Sequence, residues 1–334
     1  MKSKTRKGLI VLTITTVFFT VPSVAKAVTL YEYESLTIDD ADFTAIKAIN
    51  NQGQIIGDTN AGGVAATSFF INQNGEKSFF DAPGAAATLV WDMNENEEIV
   101  GYFFTTPEFV EVKPFILNDS NFIVPDLFPD RDDIPDIEFS GINNNGQIVG
   151  FYFNEDFTDA SGFFINEPNF NEIDATDVEP IIINNADKIF PWGINDQGDI
   201  AGQFRDEKGT QGFFLEEDEI KKINFPGADL TRARGLNNND EIVGLFTLPE
   251  TGDTWRSFIW EDDNFVEIAF PGAVETLADN INDAGVIVGQ YVDSEGNING
   301  FKATPIPEPE ITSFGGFVSV FALGLAKKFS RRRQ

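Results

Sequence analysis

Oxygen-bearing side chains in this sequence gather in one recurring nine-residue phrase. It reads Ile49 to Gly57 (INNQGQIIG), Met93 to Gly101 (MNENEEIVG), Ile142 to Gly150 (INNNGQIVG), Ile194 to Gly202 (INDQGDIAG), Leu236 to Gly244 (LNNNDEIVG) and Ile281 to Gly289 (INDAGVIVG). The closely spaced oxygens of Asn195, Asp196 and Asp199, or of Asn237, Asn239, Asp240 and Glu241, could converge on a hard cation, which takes about six to eight such ligands. No copy carries alternating acids followed by Gly and a downstream bidentate Glu. Asn-Gly and Asn-Asn-Gly are also what a hairpin turn with positive φ requires. The lead residues Asn50, Asn94, Asn143, Asn195, Asn237 and Asn282 are therefore read as structural turn residues bonding neighbouring backbone groups. No metal ligand is assigned, and calcium remains the one cofactor the phrase could accept.

Other chemistry is narrowed by composition. The chain has no cysteine and no histidine, so disulfides, thiolates, Ser-His-Asp and Cys-His pairs and imidazole metal sites are all excluded. Adjacent carboxylates such as Asp132/Asp133 or Glu216/Glu217/Asp218 could serve glycoside hydrolysis, which uses two carboxyl groups at a set separation. With 54 acidic residues in the chain, adjacency does not distinguish a site from a solvated face. Trp91, Trp192, Trp255 and Trp260 could stack on sugar rings, although burial in strands is the commoner fate of such residues. No catalytic residue is assigned and the chain reads as a non-enzyme. The formal charge is -31, and between positions 28 and 326 there are 13 basic against 54 acidic residues. Nucleic acid is thereby excluded as a partner, because its binding depends on Lys and Arg meeting phosphates.

These phrases need a repeating scaffold. The lead asparagines stand 44, 49, 52, 42 and 45 residues apart, a period typical of stacked supersecondary units. Each unit holds four short strand candidates, as in Ala186 to Ile194, Asp199 to Phe204, Gln211 to Leu215 and Glu219 to Phe225. Phe-centred strands recur at Ser68 to Ile71, Pro114 to Leu117, Gly162 to Ile165, Gly212 to Leu215, Ser257 to Trp260 and Gly300 to Lys302. Pro-Gly corners follow at Ser78 to Ala85, Ile220 to Ala228 and Phe265 to Ala273. Four strands per unit of about 45 residues predict an all-β, six-bladed β-propeller. A fourth-strand element at Tyr31 to Asp39 precedes the first phrase, and the last unit lacks one, so the N-terminal strand is expected to close the ring and remove its exposed edges. An open or two-part β array is the alternative.

The ends read as addresses. Residues 1–27 form a signal peptide with a basic start, an apolar run from Gly8 to about Val21, and a small-x-small cleavage site at Ala25 and Ala27. An uncleaved anchor is the alternative there. Residues 28–304 are the propeller. Residues 305–334 begin with Pro305-Ile306-Pro307-Glu308-Pro309, expected to end the folded domain. A charge-free stretch from Ile311 to Ala326 follows, about 24 Å as a short transmembrane helix, then a cluster ending in Arg331, Arg332 and Arg333. This end resembles the PEP-CTERM sorting signal of exported bacterial proteins through Pro307, Glu308, Pro309, the Gly-rich apolar segment and the Arg cluster. The resemblance implies an exosortase-type processing partner, transient membrane anchoring and delivery to the cell surface or extracellular matrix. The phrases, the Gly-Phe strands and the Phe-Pro-Gly-Ala corners resemble HAF-type extracellular repeats over most of residues 30 to 304, with Ser/Gly-Phe-Phe where that family has His-Ala-Phe. No active site is implied by that family. The function expected is structural or binding, with envelope or matrix polysaccharide as partner; the alternative is a secreted carbohydrate-active enzyme with carboxylates on one propeller face.

Overall fold

The computed structural model describes residues 30–60, 66–108, 111–128, 136–154, 156–167, 169–250, 252 and 254–307. Every helix or strand among them is a strand. In chain order these are β1 (Leu30–Leu36), β2 (Thr44–Ile49), β3 (Ile55–Thr59), β4 (Thr67–Ile71), β5 (Lys77–Phe80), β6 (Ala87–Met93), β7 (Ile99–Phe104) and β8 (Val112–Asn118). There follow β9 (Asn121–Ile123), β10 (Ile137–Ile142), β11 (Ile148–Phe153), β12 (Ala160–Ile165), β13 (Val178–Pro180), β14 (Lys188–Ile194), β15 (Ile200–Asp206) and β16 (Gly209–Glu216). The last are β17 (Glu219–Ile223), β18 (Leu230–Leu236), β19 (Ile242–Thr247), β20 (Arg256–Glu261), β21 (Asn264–Ile268), β22 (Glu275–Ile281), β23 (Ile287–Val292) and β24 (Ile298–Ile306).

The phrase builds the same corner in each repeat. Its apolar first residue ends one strand, and its seventh residue starts the next, antiparallel one. Between them the chain turns through positive φ at Gly53, Gly146, Gly198 and Gly285, but also at Glu97 (62°) and Asp240 (60°), where a side chain is carried at some strain. The final glycine of each phrase has a separate duty. Gly57, Gly101, Gly150, Gly202, Gly244 and Gly289 lie directly across the ladder from Phe69, Phe115, Phe163, Phe213, Phe258 and Phe301. All six phenylalanines are fully buried. At Gly150, Gly202 and Gly244 an added Cβ would come within 2.6 Å of the facing ring. The phrase and the Phe strand are thus one packing unit, an aromatic ring covering a residue without a side chain.

The sheets form a propeller-like ring. The strands β2, β6, β10, β14, β18 and β22 each contact the next, and β22 returns to β2. The apolar core lies between neighbouring repeats, as where Ala48 and Ile56 meet Val90, Met93 and Phe115. β1 pairs along its whole length with β24, from Leu30 opposite Ile306 to Leu36 opposite Gly300, and so completes the sheet of the last repeat.

Two expectations need correction. The spacing predicts six separate blades, but strand pairing gives four separate four-stranded sheets and one of eight strands. In the latter a single parallel bridge, Ala160 to Lys188, joins β12 to β14. The cause is local: β13 is only three residues long and pairs with Phe163 to Ile165, so it leaves the Ala160 end of β12 uncovered, and Ala160 N–H donates to Asp187 O (3.3 Å). Second, Pro305 does not stop the domain. It sits within β24 opposite Tyr31, in a stretch where β23 no longer pairs, so its missing N–H takes nothing from the ladder.

Candidate functional site

Inner strands run from one end of the ring to the other, so the axial passage has two distinct ends. The phrases form the first. In every copy the lead asparagine's Oδ1 accepts from the backbone N–H groups two and four residues on, for example from Asn145 and Gln147 to Asn143 (both 3.0 Å). The other copies repeat these two bonds. Its Nδ2 donates to the carbonyl of the next repeat's lead asparagine, Asn94 to Asn143, Asn143 to Asn195, Asn237 to Asn282 and Asn282 to Asn50. Two copies depart from this: Asn195 donates to Asp240 Oδ1 (3.2 Å), the side chain that replaces glycine in the next turn, and Asn50 donates to Gln54 Oε1 (2.6 Å) within its own phrase.

The next residue of each phrase makes a second ring. Backbone N–H groups donate from Asn51 to Glu95 (2.6 Å), Glu95 to Asn144 (2.8 Å), Asn144 to Asp196 (2.9 Å), Asp196 to Asn238 (2.8 Å), Asn238 to Asp283 (2.9 Å) and Asp283 to Asn51 (2.8 Å). Amides and carboxylates alternate around it. The Asn51, Asn144 and Asn238 amides donate to Asp196 and Asp283, so the anionic charge is met by oriented N–H groups. No cluster of three metal-binding acids occurs among the described residues.

Of the other residues singled out in the sequence, Glu216, Glu217 and Asp218 form the exposed turn between β16 and β17. Pro307 is one residue beyond β24. Glu308, Pro309, Arg331, Arg332, Arg333, Ala25, Ala27, Asp132 and Asp133 lie outside the described residues.

The opposite end is built by an irregularity that the phrase does not reveal. Every inner strand carries a bulge, one residue more than its partner, just before the phrase. Bulges re-aim side chains. The residues they turn inward are of five types in six repeats, with tryptophan twice: Lys47, Trp91, Ser140, Trp192, Arg234 and Asp279, all six of which line one narrow axial neck. Below it toward the phrases lie Asp92 and Asn280, which also border the asparagine ring. Above it, Trp91, Trp192 and Arg234 continue into a cavity of about 440 Å³, whose walls include Tyr102, Glu138, Phe151, Phe190, Gln203 and Arg232.

The bulge side chains interlock. The rings of Trp91 and Trp192 meet edge to face at 5.0 Å, across the repeat that contributes only Ser140 between them. Lys47 Nζ lies 4.6 Å from the centre of the Trp91 ring, and the Arg234 guanidinium 4.1 Å from that of Trp192. Trp91 Nε1 donates to Glu138 Oε2 (3.3 Å). Burial pushes the Glu138 carboxyl up to about 7, against the Trp91 hydrogen bond and the attraction of Arg234. Burial holds the Arg234 guanidinium below its usual range, countered by Asp279 and Glu138; Arg232 is lowered to about 10 by burial and by Arg234 beside it. Asp92, one residue after the Trp91 bulge, accepts from Ile142 N–H (3.1 Å), Met93 N–H (2.9 Å) and Asn280 Nδ2 (3.2 Å) and is raised by burial to about 7.

Several polar atoms here remain without partners. Trp192 Nε1, Gln203 Oε1, Arg232 Nε and Arg234 Nε are buried and unbonded. Neither arginine makes an ion pair with another described residue. Of the tryptophans, Trp260 is core and Trp255 lies beneath Arg232 (4.5 Å), whereas Trp91 and Trp192 are the two at the cavity.

Neither a family model nor a curated protein sequence matches the chain. Among solved structures, a protein assigned as TolB from Agrobacterium tumefaciens superposes with a TM-score of 0.51 at 11% identity, covering 79% of this chain and 90% of that one. A lectin from Aleuria aurantia in complex with a methyl fucoside gives 0.48 at 9% identity over 80% of this chain and 93% of the lectin. Trypanosoma rangeli sialidase gives 0.45 at 7% identity over 79% and 54%. At such identities the likeness is one of fold alone: an all-β, propeller-like ring of sheets.

Proposed function

We propose that the chain is an exported bacterial cell-surface or extracellular-matrix β-propeller that binds a ligand in the cavity around Trp91 and Trp192. The eight-stranded sheet is read as two blades fused at one bridge, which makes six blades in all. A signal peptide over residues 1–27 and the PEP-CTERM-like tail, with an exosortase-type enzyme as processing partner, supply the route to the surface. Envelope or matrix polysaccharide is the proposed partner.

One observation carries the binding role. Six repeats alike in their phrases carry five residue types at their bulges, and those residues come together at one neck that opens into a cavity with unbonded polar atoms. Apolar walls with a few convergent polar groups are the usual make-up of a ligand site. Binding is favoured over hydrolysis because Glu138 is the one carboxylate among the described residues lining the cavity, where glycoside hydrolysis commonly uses two. The Tyr102 phenol in the same wall is held well above its usual range by burial and by Glu138, which disfavours it as a nucleophile.

An array of bacterial polysaccharides probed with the purified protein tests this. Retention that Trp192→Ala abolishes is expected; release of reducing ends from any bound glycan would convert the reading to the carbohydrate-active enzyme. Export is tested separately, by replacing Pro307, Glu308 and Pro309 together: surface delivery that persists unchanged would sink the sorting assignment.

A further inference from the structure

Resting on the cavity as a binding site, we infer that its ligand is a sugar ring bearing a carboxylate, a hexuronate unit of an acidic polysaccharide. The first argument is charge placement. Only 13 basic residues occur between positions 28 and 326, against 54 acidic ones. Lys188, Arg205, Arg232 and Arg234 line the one cavity and Lys47 lines its neck, so five of the 13 converge there. In a chain this acidic, such a gathering selects an anion from a surrounding field that repels it.

The second argument is the arginine pair. Arg232 and Arg234 are partly buried, lie close enough for Arg234 to depress Arg232, and have unbonded Nε atoms. Asp279 and Glu138 attract Arg234 but neither makes an ion pair with it, and two guanidiniums held largely out of water without a contacting carboxylate are unfavourable unless a partner arrives; their planar donor forks suit a carboxylate. Glu138 makes no ion pair with either arginine, and its Oε2 accepts from Trp91.

The third argument separates a sugar from a flat aromatic acid. Beside the arginines, the cavity offers an unbonded donor, Trp192 Nε1, and an unbonded acceptor, Gln203 Oε1. Together these suit hydroxyl groups, which both donate and accept. Trp91, Phe151, Phe190 and Trp192 line the cavity as one packed aromatic cluster, an apolar wall of the kind against which a pyranose C–H face rests. The volume, about 440 Å³, lies within the range usual for small-molecule sites.

The test is calorimetric titration of the purified protein with a galacturonate trimer, the neutral galactose trimer of the same length, and benzoate. The expected result is binding of the galacturonate trimer at least about tenfold tighter than either of the others, weakening as salt is raised. Arg232→Gln and Arg234→Gln should each weaken it about tenfold to a hundredfold, the loss of a charge-assisted bond, with unchanged near-ultraviolet circular dichroism. Should one variant misfold, the other and the neutral trimer still decide. Equal binding of the neutral trimer would overturn the carboxylate while leaving a glycan-binding propeller. Tighter binding of benzoate would overturn the sugar. Binding of none of the three, together with silence on the polysaccharide array, would remove the binding role itself.

Discussion

The two ends of the axial passage obey opposite rules. At the phrase end the repeats are nearly identical, and each side chain hands its hydrogen bonds to the next copy until the ring closes on itself. At the bulge end the six copies carry five residue types, and polar atoms remain unbonded. A repeat whose bonds are satisfied by its neighbours has nothing left to offer a ligand; one whose side chains break the symmetry does. The comparison separates residues that hold the ring from residues that use it.

Substitutions at the two ends should therefore have unlike consequences. The largest effect is expected at the Gly-Phe pairs: at Gly202→Ala the new Cβ would collide with Phe190 O and come within 2.6 Å of the Phe213 ring, neither able to withdraw. A loss above about 4 kcal/mol is expected, read as failure to give a cooperative urea transition. Next is Asn143→Ala, which removes two accepted and two donated bonds at a buried position. A loss of about 3 kcal/mol in urea unfolding is expected; a loss below 1 kcal/mol would break the distinction between the two ends. Arg234→Met should by contrast leave stability within about 1 kcal/mol of the parent, or raise it, because an unpaired buried cation gives way to an apolar chain of similar length. If it destabilises as much as Asn143→Ala, the arginine is structural.

The smallest effect concerns pH. Burial raises the Asp58 carboxyl to about 7; its Oδ1 accepts from Ser68 Oγ (3.0 Å) and Val90 N–H (3.1 Å), while Oδ2 is unbonded. An acid raised in the folded state keeps its proton there up to about pH 7 but releases it near pH 4 when unfolded. Unfolding then releases a proton in that window, so this group's contribution to stability falls as pH rises from about 4 through 7. Asp58→Asn can keep the accepting oxygen and place its NH2 at the unbonded position. Relative to the parent, its melting temperature should gain a few degrees at pH 8 and little at pH 5. An equal difference at both pH values would show that the carboxyl is not raised.

Much of the ring was legible because it repeats. The six asparagines, the strand on either side of each turn and the Phe strand can be read from spacing, and so can the closing pair of β1 with β24, since the first and last units each lack what the other has. The fusion of the third and fourth repeats was not legible, because it depends on how short β13 is and which end of β12 it leaves bare. Nor was Pro305 in β24: the sequence marks proline as a strand breaker, and only the pairing shows that it lies beyond the reach of β23, where the N–H it lacks is not missed. The site was half visible. Trp91 and Trp192 stood out by type, but nothing local distinguished them from Trp255 and Trp260. The signal that would have found them is positional: the third residue before each lead asparagine reads Lys47, Trp91, Ser140, Trp192, Arg234 and Asp279, a column of mostly unlike, polar or aromatic residues close to one that is asparagine in all six copies.

The sequence by itself determined the repeating unit, its turn and its buried ring, because these rest on contacts within about 25 residues and recur six times. Tertiary structure alone decided what the unlike residues mean. A bulge turns one side chain per repeat toward the axis, and closing the ring brings residues almost 200 positions apart, Trp91 and Asp279 among them, into one neck. Meeting there is a property of closure, which no single repeat contains.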